Sequence, residues 1–169
     1  MKLFMGTKLI QAEPMSRASY NNYRGWVLPA DEDGTDAGFL VEYMDGGKTN
    51  HPLHRGYISW SPADVFMVNY QHTDALSFGH AVEMLKLGHK VARKGWNSKG
   101  MFLFLVPGGT INVTADRPLG MAAPDLVGTT LNYLPHVDMK TAQGDVVPWL
   151  ASQSDILADD WTLIFGEGE

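Results

Sequence analysis

The 169-residue sequence contains no cysteine, so disulfide bonds and thiolate metal sites are excluded. This absence fits a reducing compartment such as the cytoplasm. Glycine-rich phosphate loops, nucleophile elbows and HExxH zinc signatures are also missing. The longest apolar run, residues 101–106, is far shorter than the ~20 residues of a membrane span. Because the amino end also lacks the apolar segment of a signal peptide, we expect a cytoplasmic protein without membrane association.

The chain has few cations and a net charge of −6 at pH 7. Broad binding to a nucleic-acid duplex requires many Lys and Arg contacts to phosphate, so no duplex partner is expected. Five of the thirteen cations nevertheless fall between residues 86 and 99. This cluster is either a solvated face or a small anion-binding pocket, since one or two phosphates need only a few well-placed donors.

The second half of the sequence predicts one helix and several strands. Residues 77–88 place apolar side chains at helical spacing between the N-cap Ser77 and the terminal Gly88. Strands are predicted at 90–94, 101–106 and WTLIF, and a hairpin is predicted around Gln143-Gly144. ASQSDILADD suggests a short helical turn, and residues 110–130 suggest a long connection. The predicted fold is α+β, a small antiparallel sheet packed with a helix.

The first half predicts a second small α+β unit. GTKLIQAEPM indicates a strand, and SRASYNNYRGW indicates a short helix capped by Ser16. GFLVEYMDGG, GYISWSP and DVFMVNY are typical of further strands around turns. We therefore predict two domains, an N-terminal unit over residues 1–72 and a second over 75–169.

The residues that could carry chemistry favour binding over catalysis. His51 and His54 are separated by a proline and lack a third ligand nearby, so we expect structural or exposed histidines and no metal site. Trp96 lies in a turn, where its ring would be exposed unless something covers it, whereas Trp161 begins a strand and is expected in the core. A base stacked on Trp96, with Arg93 or Lys94 at the phosphates, would form a nucleotide pocket.

Two blocks, SFGHAVEMLKLGHKVARKGWNSKGMFLFLVPG and LPHVDMKTAQGDVVPWLASQSDILADDW, resemble the second Thoeris anti-defence family of phage and prophage proteins. The resemblance covers residues 75–165. It implies a small α+β protein that is not an enzyme and uses no cofactor. Members sequester glycocyclic ADP-ribose, the signal of bacterial Thoeris defence, and some also bind cyclic di- or trinucleotides of the CBASS system. They form homo-oligomers, typically tetramers, with ligand pockets between subunits.

The resemblance also implies which residues bind the ligand. They are Phe78, Arg93, Trp96, Asn97, Met101, Phe102, Asp155, Asp160 and Trp161. Most of these would line the purine and phosphates, while the aspartates and Trp161 would supply polar contacts and a wall. Residues 1–72 fall outside the resemblance, and an added unit of this kind could cap the oligomer, contribute a second pocket or change the assembly. The sequence thus predicts a phage anti-defence sponge in the cytoplasm of the infected bacterial host.

The residues leave two other classes of function open. One is a hydrolase that degrades a cyclic nucleotide with Asp159, Asp160 or His136. The other is a protein-interaction or virion-associated module whose exposed aromatics meet a partner chain.

Overall fold

The structure is a computed structural model that describes residues 1–4, 6–96 and 100–165. The chain divides into two compact units, residues 1–71 and 72–169. Both units combine helices with small antiparallel sheets, which confirms the predicted α+β class. In the part of the chain described, no helix is both long and apolar enough to cross a membrane.

The first unit is a three-stranded antiparallel sheet with strand order β1-β2-β3. Leu40 and Ile58 are buried on one face of this sheet against Tyr20 of the first helix. On the other face the Phe39 ring stacks on Phe66 of the second helix at 4.0 Å. In chain order the elements are β1 (Ile10–Pro14), α1 (Arg17–Arg24), β2 (Gly38–Tyr43), β3 (Tyr57–Pro62) and α2 (Ala63–Asn69).

The ends of helix α1 follow its sequence signals. The hydroxyl of Ser16 accepts a hydrogen bond from the Ser19 backbone N–H, as expected of an N-cap. Gly25 ends the helix with φ +69°, a left-handed conformation that favours glycine. The N-cap at Ser16 confirms the predicted start of this helix.

The second unit is built on a five-stranded antiparallel sheet with strand order β10-β4-β5-β8-β9. A separate two-stranded sheet pairs β6 with β7. The elements are α3 (Phe78–Lys86), β4 (Lys90–Arg93), β5 (Phe102–Val106), β6 (Gly109–Asn112), α4 (Pro118–Ala122), β7 (Thr130–Tyr133), β8 (His136–Lys140), β9 (Val146–Pro148), α5 (Gln153–Ile156) and β10 (Trp161–Ile164). Ser77 caps α3, and β4 and β5 pair as the predicted hairpin.

Helix α3 covers one face of the five-stranded sheet, where it contacts β4, β5 and β10. Its Met84 and Leu85 are buried together with Val91, Leu103 and Leu163 of those strands. Burying each such side chain contributes roughly 1.5–3 kcal/mol, so this layer is the main source of stability in the unit. We call the sheet face toward α3 the inner face and the opposite one the outer face.

Two predictions of secondary structure were wrong. All of DVFMVNY except its last residue lies in helix α2, where Phe66 packs onto Phe39. A short apolar run does not distinguish strand from helix by its pattern alone. The connection predicted over 110–130 contains most of β6, helix α4 and the start of β7. The two strands are too short and polar to show a clear alternation of apolar and polar residues.

Candidate functional site

An aromatic cluster lies at the starts of α3 and β10 and includes one ring from the segment after β4 and one from the segment after β9. Trp161, at the start of β10, is fully buried at its centre. The rings of Phe78, Trp96 and Trp149 lie 5.5, 5.8 and 6.0 Å from it between centroids. The indole N–H of Trp161 donates to the backbone carbonyl of Asp155 at 3.0 Å. Trp161 therefore holds the cluster together, and the half-buried Phe78, Trp96 and Trp149 are the rings that reach its surface.

Arg93 is held between two carboxylates beside this cluster. Its Nε donates to Asp160 and its Nη1 to Asp155, each at 2.8 Å. The exposed fraction of the side chain is 19% for Arg93, 14% for Asp155 and 33% for Asp160, so the group is mostly shielded from water. The hydrogen bond from Arg93 lowers the pKa of Asp160, although burial opposes this shift. At neutral pH the group therefore combines one cation with two anions.

Each carboxylate also fixes a segment of backbone. The second oxygen of Asp160 accepts the Gly95 N–H at 3.0 Å, which anchors the turn that presents Trp96. Asp155 exchanges hydrogen bonds with Ser152 in a capping box that starts α5. Burial raises the pKa of Asp155, but the hydrogen bonds from Ser152 and Arg93 outweigh it and lower the pKa. The two aspartates thus position the aromatic cluster through Arg93 and the backbone.

A second patch lies on the outer face of the same sheet. The Phe102 ring has the ammonium groups of Lys90 and Lys140 at 5.3 and 5.9 Å from its centroid. Phe104 is the next outward side chain, with its ring 6.1 Å from that of Phe102. Since side chains alternate along a strand and the neighbouring Leu103 is buried on the inner face, Phe102 points away from α3. This patch is an aromatic surface flanked by two cations.

The predicted ligand-binding residues are therefore split between the two faces. Phe78, Arg93, Trp96, Asp155, Asp160 and Trp161 come together at the inner face. Phe102 lies on the outer face, and Met101 is half-buried just before β5. Asn97 lies outside the described residues. Sequence reasoning missed Trp149 and Lys140. Lys140 reaches Phe102 through the pairing of β5 with β8, which no local sequence signal reveals.

The residues named for a hydrolase do not converge. Asp160 is paired with Arg93, and Asp159 is exposed. His136 lies on β8 opposite Val106, with its Nε2 3.7 Å from Asp138. No group of three or more His, Asp or Glu side chains in the described ranges is placed to hold a metal ion. The two patches instead offer aromatic rings for stacking together with charged groups.

Comparison with known proteins identifies the family of this unit. Residues 76–164 match the family model for the Thoeris anti-defense 2-like domain. The protein "Thoeris anti-defense 2" of Bacillus phage SP01 is 36% identical over 89 residues, which are 53% of this chain and 94% of that protein. The matched segment runs from just before α3 to the end of β10 and includes both patches. The chain belongs to the Thoeris anti-defense 2-like family, as the sequence resemblance predicted.

Proposed function

We propose that the chain is an anti-defence sponge that binds glycocyclic ADP-ribose and withholds it, chemically unchanged, from the Thoeris effector of the infected cell. Membership of the Thoeris anti-defense 2-like family, through residues 76–164, is the observation that carries this proposal. The similar protein of the Bacillus phage is named for Thoeris anti-defence. The aromatic and cationic patches supply the contacts that a nucleotide ligand needs.

The ligand contacts divide between a Trp96 patch and a Phe102 patch. The Trp96 patch comprises Phe78, Arg93 and Trp96 at the inner face, and the Phe102 patch comprises Lys90, Phe102 and Lys140 on the outer face. The sheet separates the two patches within one chain. A ligand that uses both must lie between two copies, so we propose a homo-oligomer, with a tetramer as the expected form, whose pockets join one patch from each copy.

We propose that stacking on Trp96 provides the base contact. Its indole packs edge-to-face with Trp161, with 76° between the ring planes, and it is half-buried, so part of the ring stays accessible to a ligand. Stacking of a base on an aromatic ring contributes roughly 1–3 kcal/mol. A sponge with nanomolar affinity needs about −12 kcal/mol in total, so stacking must be combined with well-held phosphates.

Lys90 and Lys140 are the better candidates for phosphate contacts than Arg93. Two of the guanidinium nitrogens of Arg93 are engaged by the aspartates, whose two negative charges exceed its single positive charge. Lys140 donates to the Gly100 carbonyl at 3.2 Å, which leaves further donors on its ammonium group. Arg93 is then a positioning residue whose loss displaces Trp96.

Calorimetric titration of the full chain with glycocyclic ADP-ribose tests the proposal. The expected result is tight binding, with intact ligand recovered by chromatography after the complex is heated. Trp96→Ala should weaken binding by at least tenfold, whereas Trp26→Ala, a matched change at an exposed residue of the first unit, should leave it unchanged. A changed nucleotide product would show a hydrolase. Absence of binding to this ligand and to cyclic di- and trinucleotides would favour an interaction module.

A mixing experiment tests the shared pocket. Trp96→Ala and Phe102→Ala should each abolish tight binding when every copy carries the change. Mixed oligomers, formed by co-expression of the two variants, should regain a fraction of the sites because some pockets then pair two intact patches. If the mixed oligomers bind no better than either variant alone, the patches do not form one pocket between copies.

A further inference from the structure

A chain of hydrogen bonds ties together three parts of the first unit. The buried carboxylate of Glu42 on β2 accepts from Nδ1 of His54 at 2.6 Å, and Nε2 of His54 lies 2.8 Å from the Tyr23 hydroxyl on α1. The other oxygen of Glu42 accepts the backbone N–H groups of Arg55 and Gly56, each at 2.8 Å. The loop that carries His54 is therefore fixed to the sheet and to α1.

The ring of His51 reinforces this arrangement. It stacks on Tyr23 with the centroids 4.5 Å apart, and it meets His54 edge-on at 5.4 Å. The hydrogen bonds from His54 and from the backbone lower the pKa of Glu42, so its carboxylate stays ionised at neutral pH. With Glu42 ionised, Nδ1 of His54 is the donor to its carboxylate, and Nε2 shares a hydrogen bond with the Tyr23 hydroxyl.

A cleft of about 250 Å³ opens beside this hydrogen-bond chain. Its lining residues are Gln11, Ala12, Glu13, Leu40, Glu42 and His54. The pairing of β1 with β2 places Gln11 opposite Glu42 and Glu13 opposite Leu40, so these four side chains share one face of the sheet. Within the described residues, Glu13 forms no ion pair. The cleft thus combines an unpaired carboxylate, a side-chain amide, an apolar floor and an imidazole wall.

The size and chemistry of the cleft limit what it can hold. Sites for drug-sized ligands measure roughly 300–1,000 Å³, so a cleft of this volume suits a small group. Two carboxylates disfavour an anion. Both nitrogens of His54 are already engaged, which leaves its ring to offer a planar surface. A guanidinium matches this set because it pairs with a carboxylate through two parallel hydrogen bonds and stacks on flat rings.

We propose that this cleft is a binding site for a guanidinium group, paired with the Glu13 carboxylate and stacked against His54. The group is carried either by a small free cation or by an arginine side chain of a partner polypeptide. The site lies in residues 1–71, outside the segment that carries the family match, and does not depend on nucleotide sequestration by the second unit.

Nuclear magnetic resonance titration of the isotopically labelled full chain with agmatine tests the site. N-carbamoylputrescine, in which a neutral urea replaces the guanidinium while the terminal ammonium is kept, serves as the ligand control. We expect saturable shifts of the Gln11, Glu13 and His54 resonances with agmatine, and at least tenfold weaker binding of the isostere. Equal responses to the two compounds, or no saturable shifts with agmatine, would overturn the proposal.

Matched variants separate a specific pair from general attraction of a cation to an acidic protein. Glu13→Gln should weaken agmatine binding about tenfold, whereas Asp31→Asn, which removes one exposed negative charge elsewhere in the same unit, should leave it unchanged. Equal weakening by both variants would overturn the assignment to the cleft. The wild-type protein is also titrated with a short arginine-containing peptide. If the peptide binds more tightly than agmatine, the natural ligand is an arginine side chain of a partner, and if it binds no more tightly, the ligand is a small cation.

Discussion

Replacement of Arg93 by Met measures how strongly the Arg93–aspartate group stabilises the second unit. The substitution removes the charge and keeps most of the side-chain volume, but it leaves Asp155 and Asp160 without their shared partner. Loss of one partner of a fully buried pair costs about 3–5 kcal/mol. Exposed pairs contribute about 0–1 kcal/mol. Because these three side chains retain 14–33% of their exposure, we expect an intermediate loss of about 2 kcal/mol.

Native-state hydrogen exchange measures this loss within one unit of the chain. The Leu163 amide, which donates to Thr73 at 2.8 Å in the second unit, should exchange about 30-fold faster in the variant, since 1.4 kcal/mol corresponds to a factor of ten. The Ile58 amide of the first unit, bonded to Asn50, is the internal reference and should be unchanged.

A second variant controls for the loss of a positive charge. Lys86→Met breaks an exposed pair with Glu83 and should change stability by no more than about 0.5 kcal/mol. If Arg93→Met and Lys86→Met accelerate exchange of the Leu163 amide equally, the Arg93 group does not stabilise the fold through its two carboxylates.

Two further predictions concern stability. Gly120→Ala should destabilise the second unit by several kcal/mol, because the new Cβ would lie 2.1 Å from the Thr114 carbonyl oxygen, whereas Gly79→Ala in α3 meets only ordinary contacts and should stabilise by about 0.4–1 kcal/mol. Urea unfolding of the two variants checks this, and similar midpoints would contradict the packing around Gly120. Acid should also destabilise both units, because the folded-state pKa values of Asp160 and Glu42 are lowered. The stability that these two carboxylates contribute is complete above about pH 5 and is lost as pH falls below about 4. Amide exchange of Leu163 and Ile58 at pH 6 and at pH 3.5, corrected for the intrinsic effect of pH, should show this loss, and unchanged protection would contradict it.

Local signals made most of the fold predictable. Ser16 and Ser77 cap α1 and α3 as their positions suggested, and Gly144, with φ +98°, lies in the turn between β8 and β9. Helix α2 was not predictable in this way, because its assignment depends on the stacking of Phe66 upon Phe39 across a sheet face. Its short apolar sequence suits either structure when read alone.

The sequence resemblance named candidate residues for the site but did not give their geometry. Family motifs identified Arg93, Trp96 and Asp160, and the structure brings these residues together. The placement of Phe102 on the opposite face follows from the strand register, in which Phe102 pairs with Lys140 and the adjacent Leu103 with Met139. No spacing in the sequence reveals which strand of a five-stranded sheet lies next to which, so the cation at position 140 could not be assigned.

The charged residues at the Trp96 patch position its aromatic ring. Asp160 binds both Arg93 and the Gly95 N–H, so one carboxylate links a sheet strand to the turn that bears Trp96. An aromatic ring fixed in this way loses little further freedom on binding, which reduces the entropic cost that a high-affinity sponge must overcome. The same pairing leaves the patch with excess negative charge, which disfavours phosphates there. In the proposed oligomer, cations from the Phe102 patch of another copy would compensate this charge, so the proposed sequestration would require assembly.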